Sequence, residues 1–211
     1  MRRVIDVVIG GASLALLAVP FAVIALAIRL DSRGPVFFRQ DRAGQHGKTF
    51  RIWKFRTMVD GAGKMGLGNT VADGDPRITK VGRILRNLSL DELPQLINVF
   101  TGSMSLIGPR PTLPYQIDSY SEYQWQRLLV KPGITSWASV NGRNGLPWVQ
   151  RIELDVWYVQ HRSFWLDLKI VMKTFWVAFV TREGLYGSDG VNDDFGVTQP
   201  PSPAVPAERP R

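Results

Sequence analysis

Apolar positions along the chain form one long unbroken run and several shorter, patterned stretches. Val7 to Ile28 is 22 residues without a charge. As a helix rising 1.5 Å per residue it would be about 33 Å long, enough to reach across a bilayer's hydrocarbon core. The run is longer than the apolar region of a signal peptide, and no small-x-small cleavage site precedes Arg29, so it reads as a retained anchor. Pro20 lies inside it, where the missing N–H breaks the helix ladder. Both flanks are basic, Arg2 and Arg3 before and Arg29 and Arg33 after, and basic flanks favour the cytoplasmic side. Two paths stay open: a kinked helix that crosses the membrane, or a re-entrant one that turns at Pro20 and returns through one leaflet.

Beyond Gly34-Pro35 the pattern shortens. Val36 to Gln40 and Thr49 to Thr57 are β-branched and aromatic and flank Ala43-Gly44-Gln45-His46-Gly47, which predicts a hairpin. Val59 to Pro76, rich in Gly and Asp, predicts a mobile loop. Lys80 to Asn87 and Pro94 to Phe100 predict helices, the second stopped by Gly102. Further helices are expected over Leu113 to Val130, Trp148 to Val159 and Phe164 to Val180. In the last, Trp165, Leu168, Met172, Phe175, Trp176 and Phe179 recur at three- and four-residue steps. Such a stripe ordinarily faces the core, and that reading is preferred. The other reading is an interfacial helix with Trp, Lys169 and Lys173 at headgroup level. From Gly196 the chain is Pro-rich and reads as a disordered tail.

Composition narrows the function classes. The 211 residues are 45% apolar, so the chain can bury a core; the net charge is +8, which points to an anionic partner. No cysteine is present, which excludes disulfides, cysteine zinc sites and thiol nucleophiles. Gly61-Ala62-Gly63-Lys64 resembles a phosphate loop only superficially: Met65 follows the lysine and Met58 stands at the first glycine position.

The residues that carry chemistry are carboxylates among arginines. Asp91 and Glu92 are adjacent, with Arg83 and Arg86 just upstream. Ser89-x-x-Glu92 matches a capping box, which needs no catalysis. But Pro94 would then fall inside the helix, whereas proline belongs at a helix start. The carboxylates would in that case sit at a helix entrance, as a magnesium-assisted phosphoryl transfer requires: one attacks phosphorus while cations neutralise the phosphate oxygens. Both readings stand on the local pattern. In Gly108-Pro109-Arg110-Pro111, two prolines fix the backbone around an arginine that could grip a phosphate bidentately; a rigid turn with a solvated Arg110 is the plain alternative. Arg143, in Asn141-Gly142-Arg143-Asn144, could meet a base or phosphate, although an ordinary turn is the commoner reading. Lys54 and Arg56 fall on one face of the second hairpin strand and add positive charge. His46 and His161 stand alone and take no role.

Together these pieces resemble the monotopic phosphoglycosyl transferases, or bacterial sugar transferases. The likeness runs from about Arg2 to Tyr186 and rests on five motifs in order: GPVFFRQDRAG (34–44), WKFRTM (53–58), RNLSLDELPQLINVFTGSMSLIGPRP (86–111), KPGITSWASVNGRN (131–144) and LDVWYV (154–159). Asp91 and Glu92 match that family's catalytic dyad, Arg110 its phosphate-binding arginine, Arg86 the arginine before the dyad, and Arg143 one tied to the nucleotide. The resemblance implies an irregular, helix-rich α/β fold with amphipathic membrane-surface helices and a re-entrant N-terminal helix. The expected division is an anchor over 1–33, a catalytic domain over 34–186 and a flexible tail over 187–211. It implies transfer of a phosphosugar from a UDP-sugar to undecaprenyl phosphate at the cytoplasmic face of the bacterial inner membrane, with UMP released. Asp91 would form the covalent intermediate, Glu92 would assist, and Mg2+, placed on Asp91, would be required. Membrane phospholipid is a further expected partner; a homo-oligomer is left open. The chain looks like the family's short form. Two departures stand out: Val19 precedes Pro20 where relatives often have Ser, and Ser136 and Ser139 stand where Gly and Gln are frequent. The rivals are a nucleotide-sugar hydrolase using water as acceptor, and a membrane-tethered basic protein that binds anionic lipid or nucleotide without catalysis. Nucleic acid is not an expected partner, because no nucleic-acid-binding signature appears.

Overall fold

The computed structural model describes residues 2–65, 74–142 and 145–177. The apolar run forms two helices, α1 (Arg2–Leu16) and α2 (Ala18–Asp31), bent by 59°. The bend falls at Leu17, a turn ahead of Pro20, because a proline ring excludes the carbonyl four residues earlier. Among the described residues no single helix is long and apolar enough to cross a membrane; the bent pair reaches that length and apolar composition only when its two helices are taken together.

The hairpin pairs β1 (Phe37–Ala43) with β2 (Thr49–Phe55) antiparallel, with Phe37 opposite Phe55 and Ala43 opposite Thr49. Then come α3 (Lys80–Asn87) and α4 (Gln95–Thr101), the latter ended by Gly102 at φ 96°, close to where the sequence places them. β3 (Ser105–Ile107) lies parallel to β4 (Gly133–Thr135). The last described elements are α6 (Trp148–His161) and α7 (Phe164–Trp176).

Three buried clusters hold these parts. Ile28 of α2 packs with Phe55 and Leu85, joined by Phe21, Ile24 and Val36. Ile52, Val99 and Met104 form a second, and Val140, Tyr158 and Ile170 a third. The anchor is therefore part of the core. α1 is tied to the body as well: buried Asp6 accepts hydrogen bonds from Ser105 Oγ and Leu106 N, and Arg3 donates to the last carbonyls of α4, Val99 and Phe100.

Two sequence expectations need correction. Leu113 to Val130 is not one helix: it is short helical turns, with α5 only Glu122–Trp125. Tyr120 is extended and Ser121 caps a fresh turn, because Gln116 is buried with its side chain accepting from Leu113 N instead of continuing a helix face. The aromatic stripe of α7 does not face the core. Trp165, Phe175 and Trp176 are 75%, 59% and 61% exposed, while Ile170 is fully buried. α7 packs on β3 and β4 along the line Leu166, Ile170 and Thr174, whose hydroxyl bonds that of Thr135, and Asp167 and Lys173 beside it bond Tyr158 and Asn141, so the aromatic side stays open. Phe179 lies outside the described residues, as do 66–73 of the expected mobile loop and the whole 187–211 tail. The rest of that loop is held by a buried Asp75–Arg77 pair, Arg77 also reaching the Ala62 and Met65 carbonyls.

Candidate active site

Leu90, Asp91 and Glu92 form a single 3-10 turn between α3 and α4. Ser89, ahead of it, is left-handed at φ 54°. That conformation costs a residue with a Cβ about 1–2 kcal/mol. It turns the chain sharply out of α3 and aims two adjacent carboxylates at the hairpin. The capping box does not form, since the Ser89 side chain makes no cap bond, and Pro94 takes the cap position of α4.

The two carboxylates then diverge. Glu92 accepts from Lys54 Nζ at 3.0 Å and takes a fork from Arg110, 2.6 and 3.2 Å. Asp91 makes no hydrogen bond among the described residues. Burial raises its pKa to about 6, with the neighbouring Glu92 charge adding to the rise and Lys54, Arg86 and Arg110 opposing it. Glu92 is half-buried, which opposes its charge, but Arg110 and Lys54 hold it well below the usual carboxylate range. Paired carboxylates whose environments drive their pKa values apart are suited to different jobs.

Each cation is fixed by local backbone logic. Lys54 is delivered by β2. Arg86 is placed by the close approach of α3 to Thr57, whose hydroxyl accepts from Arg86 Nε at 2.8 Å. That approach requires Gly82, where a Cβ would lie 2.0 Å from the Thr57 carbonyl oxygen. Arg110 follows β3, and its loop is clamped to β4 through Gly108 N to Thr135 O and Gly133 N to Pro109 O, both 3.0 Å.

A free carboxylate beside a fixed one, ringed by three cations, suits attack on an anionic phosphorus centre. The family model for bacterial sugar transferases matches residues 1–181. The chain belongs to this family. It is 53% identical over 147 residues to the uncharacterized sugar transferase EpsL of Bacillus subtilis (strain 168), covering 70% of this chain and 71% of that one. It is 44% identical over 190 residues to a UDP-glucose:undecaprenyl-phosphate glucose-1-phosphate transferase of Escherichia coli (strain K12), 86% of this chain but 41% of that one. A protein of the same name from Caulobacter vibrioides is 47% identical over 185 residues, 82% of this chain and 67% of its own length.

Within this bacterial sugar transferase, Asp91, Glu92, Lys54, Arg86 and Arg110 come together as the sequence grouped them. Arg56 goes elsewhere. β2 ends at Phe55, and the buried Arg56 guanidinium bonds Ser32 Oγ and the carbonyls of Ser32, Arg33 and Pro35. It secures the joint below the anchor. Arg143 lies outside the described residues.

Residues not singled out by the sequence support the site from behind. Arg127 is fully buried and donates to the backbone carbonyl of Arg110 at 2.9 Å, to Tyr120 Oη at 2.7 Å and to Asp155 Oδ2. A signal existed: Asp155 shares the buried stripe of α6 with Ile152 and Val156, and an acid on an apolar stripe needs a partner. Asp6 had the same kind of signal, an acid at the edge of an apolar anchor.

Proposed function

We propose that this sugar transferase moves a phosphosugar from a UDP-sugar to undecaprenyl phosphate, in two displacements through Asp91. The observation that carries the reading is the unequal carboxylate pair: Asp91 free of hydrogen bonds, Glu92 held by Lys54 and Arg110. An Asp91 carboxylate oxygen attacks the phosphorus next to the sugar. The bond from that phosphorus to the UMP oxygen breaks, and UMP leaves with the electron pair. An acyl phosphate joins the phosphosugar to Asp91. A phosphate oxygen of undecaprenyl phosphate then attacks the same phosphorus, the Asp91 carboxylate departs, and the product is an undecaprenyl diphosphosugar, the first lipid-linked unit of a glycoconjugate such as an exopolysaccharide, O-antigen, capsule or glycoprotein.

The cations hold the phosphate oxygens during both steps. Arg110 presents a planar fork suited to a phosphate, and Glu92 keeps it oriented until substrate arrives. Among the described residues no three His, Cys, Asp or Glu side chains are grouped to hold a metal. Mg2+ does not need such a group: it binds through one or two carboxylates together with substrate phosphates and water. Asp91 fits that role, and the ion would neutralise charge on the diphosphate.

The anchor supports a re-entrant path at the cytoplasmic face of the inner membrane. Both of its ends bond to the same body: Arg3 and Asp6 to α4 and β3, Arg2 to Asp167, and Ile28 and Asp31 to the hairpin and α3. Its outer faces show Val4, Val8, Leu16, Val23, Leu26 and Leu30, and α7 adds its exposed aromatics, an apolar surface suited to phospholipid.

The test is a single incubation. Enzyme with UDP-sugar and magnesium, without lipid acceptor, should release about one UMP per enzyme and leave a phosphosugar mass on Asp91, and Asp91→Asn should do neither. UMP that appears only with acceptor, with no adduct in quenched intact-protein mass spectrometry, would replace this with a single displacement.

A further inference from the structure

A groove of about 540 Å³ lies where α2 meets the hairpin, lined by Arg29, Pro35, Val36, Phe37 and Arg39. Its two arginines are exposed, and among the described residues neither has a carboxylate partner. They differ in this from the cations that carboxylates hold: Lys54 and Arg110 on Glu92, Arg77 on Asp75, Arg127 on Asp155, Arg2 on Asp167. The Arg39 guanidinium carbon lies 3.6 Å from the centroid of the Trp53 ring. Stacking of that kind occupies the face of a guanidinium and leaves its in-plane N–H donors available. Arg29 stands in the last turn of α2, between the exposed apolar side chains of Leu26 and Leu30.

The groove wall is apolar and continuous with the anchor. Phe21 of α2 meets Phe55 edge-on at 5.1 Å, Phe55 stacks on Phe37 at 5.4 Å, and Phe37 meets Trp53 edge-on at 5.4 Å. An occupant thus meets two unpaired guanidiniums on one side and apolar surface at the base of a membrane helix on the other. That combination suits an anionic head on an apolar chain. A phosphate monoester, close to dianionic at neutral pH, matches two guanidiniums better than the single charge of a phosphodiester headgroup.

We propose that this groove receives the phosphate of the polyprenyl phosphate acceptor, Arg29 and Arg39 holding it beside the anchor before transfer. The inference rests on the transferase reading above and adds a staging site to it. Trp53 and Lys54 are consecutive on β2 and so face opposite sides of the hairpin, and Lys54 is the residue that reaches Glu92. The groove therefore stands behind the dyad's lysine. A phosphate held there does not compete with the nucleotide sugar for Lys54, Arg86 and Arg110, none of which lines the groove.

The test uses the full chain in lipid nanodiscs of neutral phospholipid, comparing the native protein with Arg29→Gln/Arg39→Gln. The acceptor-independent release of UMP should persist in the double variant, which also reports that it is folded. The apparent KM for undecaprenyl phosphate should rise about tenfold or more, while the KM for UDP-sugar stays within twofold. An acceptor KM unchanged within twofold overturns the proposal. A second arm separates the acceptor from bulk lipid. If the double variant loses flotation on vesicles containing phosphatidylglycerol and its acceptor KM is normal in neutral nanodiscs, the arginines serve the membrane surface and the proposal fails. A native protein that releases no UMP from any UDP-sugar overturns the transferase reading and this inference with it.

Discussion

Replacing Arg127 by Met tests whether a buried ion pair steers Arg110. The Arg127 and Asp155 side chains are 1% and 2% exposed, so removing one leaves the other charge with no solvent to turn to. Breaking such a pair costs about 3–5 kcal/mol, whereas replacing both members by apolar groups is close to neutral. Arg127 Nε and Asp155 Oδ1 already lack partners, so little else in the pocket can take up an orphaned charge. For a chain of this size about 1 kcal/mol moves the melting temperature by about 2–4 °C, which puts each single variant, Arg127→Met or Asp155→Leu, roughly 6–20 °C below the native protein. The double variant should recover most of that loss. Activity should not recover with it. Without Arg127 the Arg110 carbonyl loses its 2.9 Å donor, and the loop that aims the fork at Glu92 gains freedom. We expect the double variant to remain at least tenfold low in kcat/KM for UDP-sugar with near-native melting, measured in detergent micelles. A double variant with native kcat/KM would show that the pair only stabilises the fold. Additive losses in the two singles would show that the two groups do not act as a pair.

Three further outcomes follow from the geometry. In the proposed reaction Asp91 attacks as the carboxylate, and burial raises its pKa to about 6, so the rate of the acceptor-independent UMP burst should rise through about pH 6 and level off above. Glu92→Gln removes the neighbouring charge that raises this pKa and frees Lys54 and Arg110 to lower it, so the limb should move to lower pH; a limb that stays or moves upward contradicts the assignment. Arg110→Lys keeps the charge but loses one of two charge-assisted bonds, a loss of about 1.5–3 kcal/mol, so kcat/KM should fall roughly 10- to 150-fold while melting is unchanged. Near-native kinetics in that variant would leave Arg110 a generic surface charge. Single cysteines at Val4 and at Thr198 should both resist an impermeant thiol reagent in intact cells and both react after lysis; external labelling at Val4 alone would establish a crossing helix.

Much of the cluster that forms the candidate site was legible because its residues are close in sequence and chemically distinctive. Asp91 and Glu92 announce themselves by adjacency, Pro94 by its conflict with the capping box, and Arg110 by its two prolines. Regular elements were legible where period and stop signals agreed, as at α3 and at α4 with Gly102. Arg56 was misassigned because strand alternation was carried one residue past the last paired position, Phe55, where the chain turns toward the anchor. The stripe on α7 was misassigned for a different reason. Periodicity shows that a helix has an apolar side, but not what covers it, and here protein packs along Leu166, Ile170 and Thr174 rather than on the aromatic stripe. Leu113 to Val130 has enough apolar residues for a helix, but buried Gln116 and Arg127 make tertiary bonds that window-based reading does not see. Arg127 itself was illegible for the same reason, since its partners are 7, 17 and 28 residues away.

The contacts of the anchor bear on what the apolar segment does beyond holding the protein at a surface. Lys54, Arg86 and Arg110 each ride on an element that the anchor itself braces. β2 carries Lys54, and its next residue, Phe55, packs on Ile28 and Phe21 of α2. α3 carries Arg86; its first turn donates from Val81 N to Asp31 at the end of α2, and Leu85 shares the cluster with Ile28. β3 leads into Arg110, and Leu106 N donates to Asp6 of α1. Removing residues 1–33 would therefore expose Phe55 and Leu85, unpair Val81 N and Leu106 N, and loosen all three cations at once. The bend matters for the same reason. The 59° bend gives different directions to α1, which carries Asp6, and α2, which carries Asp31. Asp6 on α1 meets β3, and Asp31 on α2 meets α3. The helices on either side of the bend thus each brace an element that carries a cation of the candidate site.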